Sequence, residues 1–210
     1  MATPWDAPTY DRSSAPQQAW AADVLGRLGD VPPGATILDV GCGTGRVTEA
    51  LLELVPRGRV LAVDASSAMV ELARRRLGDR AEVWCQDALA LDVDAPVDLI
   101  VSTAALHWVP DHETLWPRLA GALRAGGRLE VQCGGRGNIA RVREVIDAVA
   151  PELASELVGW SPWEFAGPEE TAERLSRAGF ADVRCWLSEK PTFPEDVDAF
   201  VRTSVLPAHL

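Results

Sequence analysis

No apolar run in the sequence approaches the length of a membrane span. The best, Leu99 to Val109, is too short and contains His107. The opening segment Met1 to Tyr10 holds prolines and an acid but no apolar stretch, so it does not read as a secretory leader. Cysteine is sparse: Cys42, Cys85, Cys133 and Cys185 stand far apart with no CxxC pair. That excludes a disulfide framework and a zinc site, and it suits reduced thiols in a cytosol. Positive charge is in deficit, with 20 Lys and Arg against 31 Asp and Glu and a formal charge of −11. A nucleic-acid backbone or an anionic membrane rewards a basic surface, so neither is the expected partner. A small molecule is compatible with this charge, because a local basic pocket fits inside an acidic shell. Repeats, low-complexity tracts and charge blocks are absent as well.

What remains is an ordinary globular composition, 47% hydrophobic and 24% charged over 210 residues, enough for one domain spanning 1–210. The segment Met1 to Pro16 reads as an irregular arm, followed by a helix over Gln17 to Leu28. Buried strands are expected at Thr36 to Val40, Arg59 to Val63, Glu82 to Cys85, Val97 to Ser102, Arg128 to Cys133 and Asp182 to Leu187. Glu82 to Cys85 and Val97 to Ser102 are both short and rich in apolar or β-branched residues, as strands covered on two faces should be. Helices are expected over Arg46 to Leu54, from Ser66 or Ser67 to Gly78, and over Thr114 to Leu123, with Pro117 in its first turn. Further helices are expected over Asn138 to Ala148, Pro168 to Ala178 and Glu195 to Ser204. Alternating strands and helices specify an α/β, Rossmann-like, doubly wound and mostly parallel sheet with helices on both faces.

Such a sheet binds ligands at the carboxyl ends of its strands, where the strand order reverses. The first strand runs into Asp39-Val40-Gly41-Cys42-Gly43-Thr44-Gly45. Glycines there allow a sharp turn and close approach to a ligand. A second strand ends in Asp64, spaced to bind both ribose hydroxyls of a nucleoside. A dinucleotide fingerprint requires G-x-G-x-x-G. Here the last glycine comes one place early, and Arg46 occupies the position it should have. The carboxylate of Asp39 would repel a pyrophosphate but suits the ammonium end of S-adenosylmethionine. A nicotinamide-dependent oxidoreductase is the alternative.

Ile37 to Gly45 resembles motif I of the class I S-adenosylmethionine-dependent methyltransferases. Val63-Asp64 resembles their ribose-binding acid, and Gln86-Asp87-Ala88 their adenine-contacting turn. A narrower resemblance, to the trans-aconitate methyltransferase group, is carried by Asp98 to Ser102, Leu106 to His112 and the arm Trp5 to Tyr10. The resemblance implies S-adenosylmethionine as cofactor, bound by Asp39, Gly41, Cys42, Gly43, Gly45, Asp64, Ala65, Met69, Asp87, Ala88 and Thr103, with Cys42 packing as a small residue inside the motif. It implies a small carboxylic acid as acceptor and no metal. The family's antiparallel seventh strand is not evident after Asp182 to Leu187, and the arginine the group is expected to set on the substrate carboxylate falls at Pro207.

On the acceptor side, Tyr10, His107, Trp108 and Trp163 are the candidate substrate contacts. His107 is also the candidate catalytic base, although a carboxylate acceptor is already ionised and needs none. Trp160, Trp163 and Phe165, within the segment 150–170, read either as a lid or as a packed cluster under a loop. A phenol, alcohol or amine is the alternative acceptor, and a non-catalytic binder of the nucleoside the alternative class.

Overall fold

The computed structural model describes residues 7–13, 15–149, 163–193 and 196–197. Its centre is a five-stranded parallel sheet of β1 (Thr36–Val40), β2 (Arg59–Asp64), β3 (Glu82–Cys85), β4 (Val97–Thr103) and β5 (Leu123–Gln132), in the order β3-β2-β1-β4-β5. The helices are α1 (Ala7–Ser13), α2 (Ala15–Arg27), α3 (Arg46–Leu54), α4 (Ser67–Leu77), α5 (His112–Ala122), α6 (Ala140–Val149) and α7 (Pro168–Arg177).

Alternation along the strands sorts the core into two layers. Leu38, Val40, Leu61, Val63 and Ile100 pack against Leu115, Trp116 and Leu119 of α5 and Leu175 of α7. Ile37, Val60, Leu99 and Val101 point the other way, onto Val24 of α2, Leu28, and Leu51 of α3. Ala62 and Val83 meet Val70, Ala73 and Leu77 of α4 on that same side. Helices therefore cover both faces, as a doubly wound sheet requires. The chain winds outward from β1 in both directions, so the strand order reverses between β1 and β4, and the gap opens at their carboxyl ends.

Four expectations are corrected. The arm is helical over α1, because Pro8 falls in the first turn of α1, where a missing N–H costs nothing, and Ala7 is buried. Pro117 lies inside α5 rather than in its first turn. Asp111 caps that helix earlier by accepting from Thr114 N at 3.0 Å, and burial of Leu115, Trp116 and Leu119 holds it despite the lost backbone bond. Strand β5 starts at Leu123, opposite Val97, and the register slips between Val97 and Leu99 before Arg128 pairs with Leu99. Finally, Asp182 to Leu187 forms no strand. Val183 and Cys185 do pack towards the core while Arg184 and Trp186 face solvent. The segment alternates in burial as a strand would, but a strand also needs ladder bonds, and among the described residues this segment has none. Most of the expected helix over Glu195 to Ser204, with Trp5, Trp160 and Pro207, lies outside the described residues.

Candidate active site

The turn after β1 is bound to the end of β2: Gly41 N and Cys42 N both donate to Val63 O, at 2.8 and 3.0 Å. Its three glycines do different work. A Cβ on Gly41, whose φ is 74°, would lie 2.2 Å from the Ala105 methyl, so this residue admits the loop after β4. A Cβ on Gly45 would press on Ala73 and Leu77, so that glycine lets α4 approach. Only Gly43 has open space on its Cβ side, and it lines the cleft with Gly41.

Asp64 ends β2 with both carboxylate oxygens engaged. Oδ2 accepts from Gly43 N at 2.9 Å and Oδ1 from Ser66 N at 2.8 Å. Burial pushes its carboxyl up, and the two amides oppose that. Each oxygen keeps a lone pair for a further donor, so the acid can hold two hydroxyls while organising the turn. Ala65, Met69, Gln86, Asp87, Ala88 and Thr103 line the same cleft, together with Ser66, Ala104 and Ala105, to which the sequence assigned no cofactor contact. Asp87 also accepts from Leu89 N at 2.8 Å and so caps the turn Ala88–Ala90.

Asp39 and Cys42 do not line the cleft. Cys42 is buried among Ala62, Val70 and Ala73. Asp39 lies beneath the turn, 1% exposed. Its Oδ2 takes the Thr48 hydroxyl at 2.7 Å, and its Oδ1 has no partner among the described residues. Burial, with a lesser contribution from the charge of Asp64, pushes the Asp39 carboxyl up to about 7 against the pull of Thr48.

Above the sheet, Tyr10, His107 and Trp108 line the cleft. Burial, then the charges of Asp64 and Asp11, push the Tyr10 phenol up to about 12, so it stays protonated. His107 sits in a one-turn helix, Leu106–Trp108, and its Nδ1 accepts from Gly134 N at 3.2 Å. Phe165 stacks on its ring with centroids 5.7 Å apart, and burial lowers its pKa to about 4. Trp163 is not on the cleft surface. It packs on Trp108 at 5.8 Å and on Phe165 at 5.6 Å, behind the wall, while Glu164 N donates to His107 O at 2.9 Å. Beside that wall, the guanidinium of Arg136 lies against Gly167, where a Cβ would meet it at 2.1 Å. Among the described residues Arg136 has no acid partner, and it lines the cleft. Among the described residues no cluster of three or more His, Cys, Asp or Glu is placed to hold a metal.

A nucleoside with a cationic amino-acid tail fits these residues: a carboxylate with free lone pairs at Asp64, an open backbone at Gly43, and an orphaned carboxylate oxygen beneath the turn. Residues 37–127 match the family described as "Methyltransferase domain". The chain is 33% identical to a trans-aconitate 2-methyltransferase of Methylobacterium nodulans over 88% of this chain and 67% of that protein. It is 40% identical to one of Azoarcus sp. over 61% of this chain and 50% of that protein. The chain thus spans about half to two thirds of the length of these curated relatives. Among solved structures, a Haemonchus contortus phosphoethanolamine N-methyltransferase in complex with S-adenosyl-L-methionine matches with a TM-score of 0.68 and 21% identity, covering 84% of this chain and 41% of that one. The fold and the cleft thus define an α/β methyltransferase domain. The chain belongs to the class I S-adenosylmethionine-dependent methyltransferases, and its sequence is similar to the trans-aconitate group among them.

Proposed function

We propose that the acceptor is the carboxylate oxygen of a small organic acid, and the observation that carries this is the hydrogen bond from the Gly134 amide to His107 Nδ1. A backbone N–H can only donate, so the Gly134 amide requires a lone pair on His107 Nδ1. Burial keeps the ring neutral, with its pKa at about 4. The single proton therefore sits on Nε2, and what the ring has left to offer is a donor. A phenol or alcohol needs a base to take its proton, whereas an ionised carboxylate needs a donor and a countercharge. His107 supplies the first and Arg136 the second. The acidic surface leaves such a cationic position inside the cleft as a selective feature.

When bound, S-adenosylmethionine supplies a methyl group on a sulfonium. The chain's own residues orient and dehydrate. Asp64 and the Gly43 turn hold the nucleoside end, and the wall of His107 and Trp108, backed by Phe165, excludes water. The acceptor oxygen is aimed at the cleft between β1 and β4. Charge is neutralised in the transfer, so alignment and water exclusion are the main demands on the protein. The similarity to trans-aconitate 2-methyltransferases supports the same acceptor class. No helix among the described residues is long and apolar enough to cross a membrane, and the four free cysteines support a cytosolic setting.

The test is a screen of acid, phenol and amine acceptors with a radiolabelled methyl donor. An acid should give a base-labile methyl ester, with a rate that does not follow an ionisation near that of histidine. Transfer to phenols or amines in preference to acids would refute the proposal.

A further inference from the structure

Arg46 stands where a dinucleotide fingerprint has its third glycine, and the structure shows what it does there. Its guanidinium meets the Asp11 carboxylate fork to fork, Nε to Oδ1 at 2.9 Å and Nη2 to Oδ2 at 2.8 Å. Arg76, in the last turn of α4, adds Nη2 at 3.1 and 3.0 Å to the same two oxygens. The buried Thr44 hydroxyl donates to Asp11 Oδ1, and Arg76 Nη1 in turn donates to Thr44 Oγ1 at 2.8 Å and to Thr44 O. One carboxylate on α1 thus ties together the motif I turn, the start of α3 and the end of α4. Its neighbour Tyr10 lines the cleft beside Asp64.

This is more than a surface ion pair. Asp11 and Arg76 are both half-buried, the Arg46 contact is bidentate, and charge-assisted bonds of this geometry are among the strong ones. They are also placed where they bear on binding. Thr44 directly follows Gly43, whose amide is held by Asp64, and Tyr10 directly precedes Asp11. Both arms of the network therefore end on the nucleoside end of the cleft.

We infer that Asp11 is a positioning residue for the cofactor, a latch that seats Tyr10 of α1 over the nucleoside end of the cleft, so that α1 must unlatch before S-adenosylhomocysteine leaves. The position that departs from the dinucleotide pattern is thereby reused to hold the closing element. The inference concerns the cofactor end and stands whichever acceptor is used.

The experiment follows S-adenosylhomocysteine release from the full chain by tryptophan fluorescence in stopped flow. The variants are Asp11→Asn, Asp11→Glu, Tyr10→Ala and the double variant Asp11→Asn/Tyr10→Ala. Asp11→Asn should release the product about ten-fold faster or more, and raise KM for the methyl donor by a larger factor than it lowers kcat. Its apo melting temperature should change by only a few degrees. Asp11→Glu should restore most of the slow release. Because Asp11 acts through Tyr10, the double variant should be no faster than Tyr10→Ala alone. An unchanged release rate in folded Asp11→Asn, or strictly additive effects in the double variant, would overturn the latch. Should Asp11→Asn not fold, Arg46→Met leaves Arg76 and Thr44 on the carboxylate. It should give a smaller acceleration, and none at all would equally overturn the inference.

Discussion

Replacing Asp39 by asparagine should stabilise the apoprotein at neutral and alkaline pH while weakening its hold on S-adenosylmethionine. Asp39 is almost wholly buried, with one oxygen on the Thr48 hydroxyl and the other without a partner among the described residues. Burial first, and then the charge of Asp64, raise its carboxyl from 3.8 to about 7. A raised folded value means that the native state favours the protonated form. The associated stability is fully present below about pH 4 and is lost as the pH climbs through 7. The distance between the two values corresponds to about 4 kcal/mol as an upper bound. The amide of asparagine keeps the shape but adds a donor, and a buried donor left unpaired costs about 1–3 kcal/mol. A net gain of about 1–3 kcal/mol for the variant at pH 8, reversing to a net loss of about 1–3 kcal/mol near pH 4, is therefore expected.

Urea unfolding of both proteins from pH 4.5 to 8.5 measures this directly, since the difference between the two curves cancels every group they share. That difference should grow between about pH 5 and 7 and then level off. The cofactor adds an independent reading. A cation bound above the turn draws the Asp39 proton off, so binding near pH 7 should release protons in the wild type and fewer in Asp39→Asn. Calorimetry in two buffers of different ionisation heat counts them. Parallel stability curves together with equal proton release would refute the account of Asp39.

Asp64→Ala removes two acceptor oxygens and the partner of the Gly43 amide; at about 1.5–3 kcal/mol per charged hydrogen bond, affinity for S-adenosylhomocysteine should fall at least a hundred-fold by calorimetry. A folded Asp64→Ala variant of unchanged affinity would take this residue out of the site. Gly41→Ala drives a methyl into Ala105 at a φ of 74° and should cost about 2–4 kcal/mol in chemical unfolding. Gly43→Ala meets open space and should cost only about 1 kcal/mol, so equal losses would contradict the division of work among these glycines. Arg136→Gln should raise KM for a dicarboxylate acceptor about ten-fold or more while leaving affinity for S-adenosylhomocysteine as it was; an unchanged KM would show that another group meets the acceptor's charge.

The parts of the molecule that were legible in the sequence are those whose cause is local. Five strands could be read because short apolar runs between turn signals betray burial on both faces, as in Thr36–Val40 and Arg59–Asp64. Motif I could be read because a strand, a glycine turn and a helix follow one another directly in the chain. Asp64 was legible because its place is the end of a strand.

Other features depend on partners remote in sequence, and only the tertiary structure decides them. Gly41, Gly43 and Gly45 look alike in the sequence, yet Ala105 claims the first, the cleft the second, and Ala73 with Leu77 the third. The tautomer of His107 is set by an amide 27 residues away. Asp182 to Leu187 carries the alternation of a strand, but alternation records only which side chains are buried. Whether a ladder forms depends on where neighbouring backbone lies, and among the described residues no such pairing forms. Asp11 passed unnoticed in the sequence because its partners Thr44, Arg46 and Arg76 stand 33, 35 and 65 residues further on. A charged pair acquires its strength from a geometry and a degree of burial that arise only once α1, the turn and α4 have been folded onto one another.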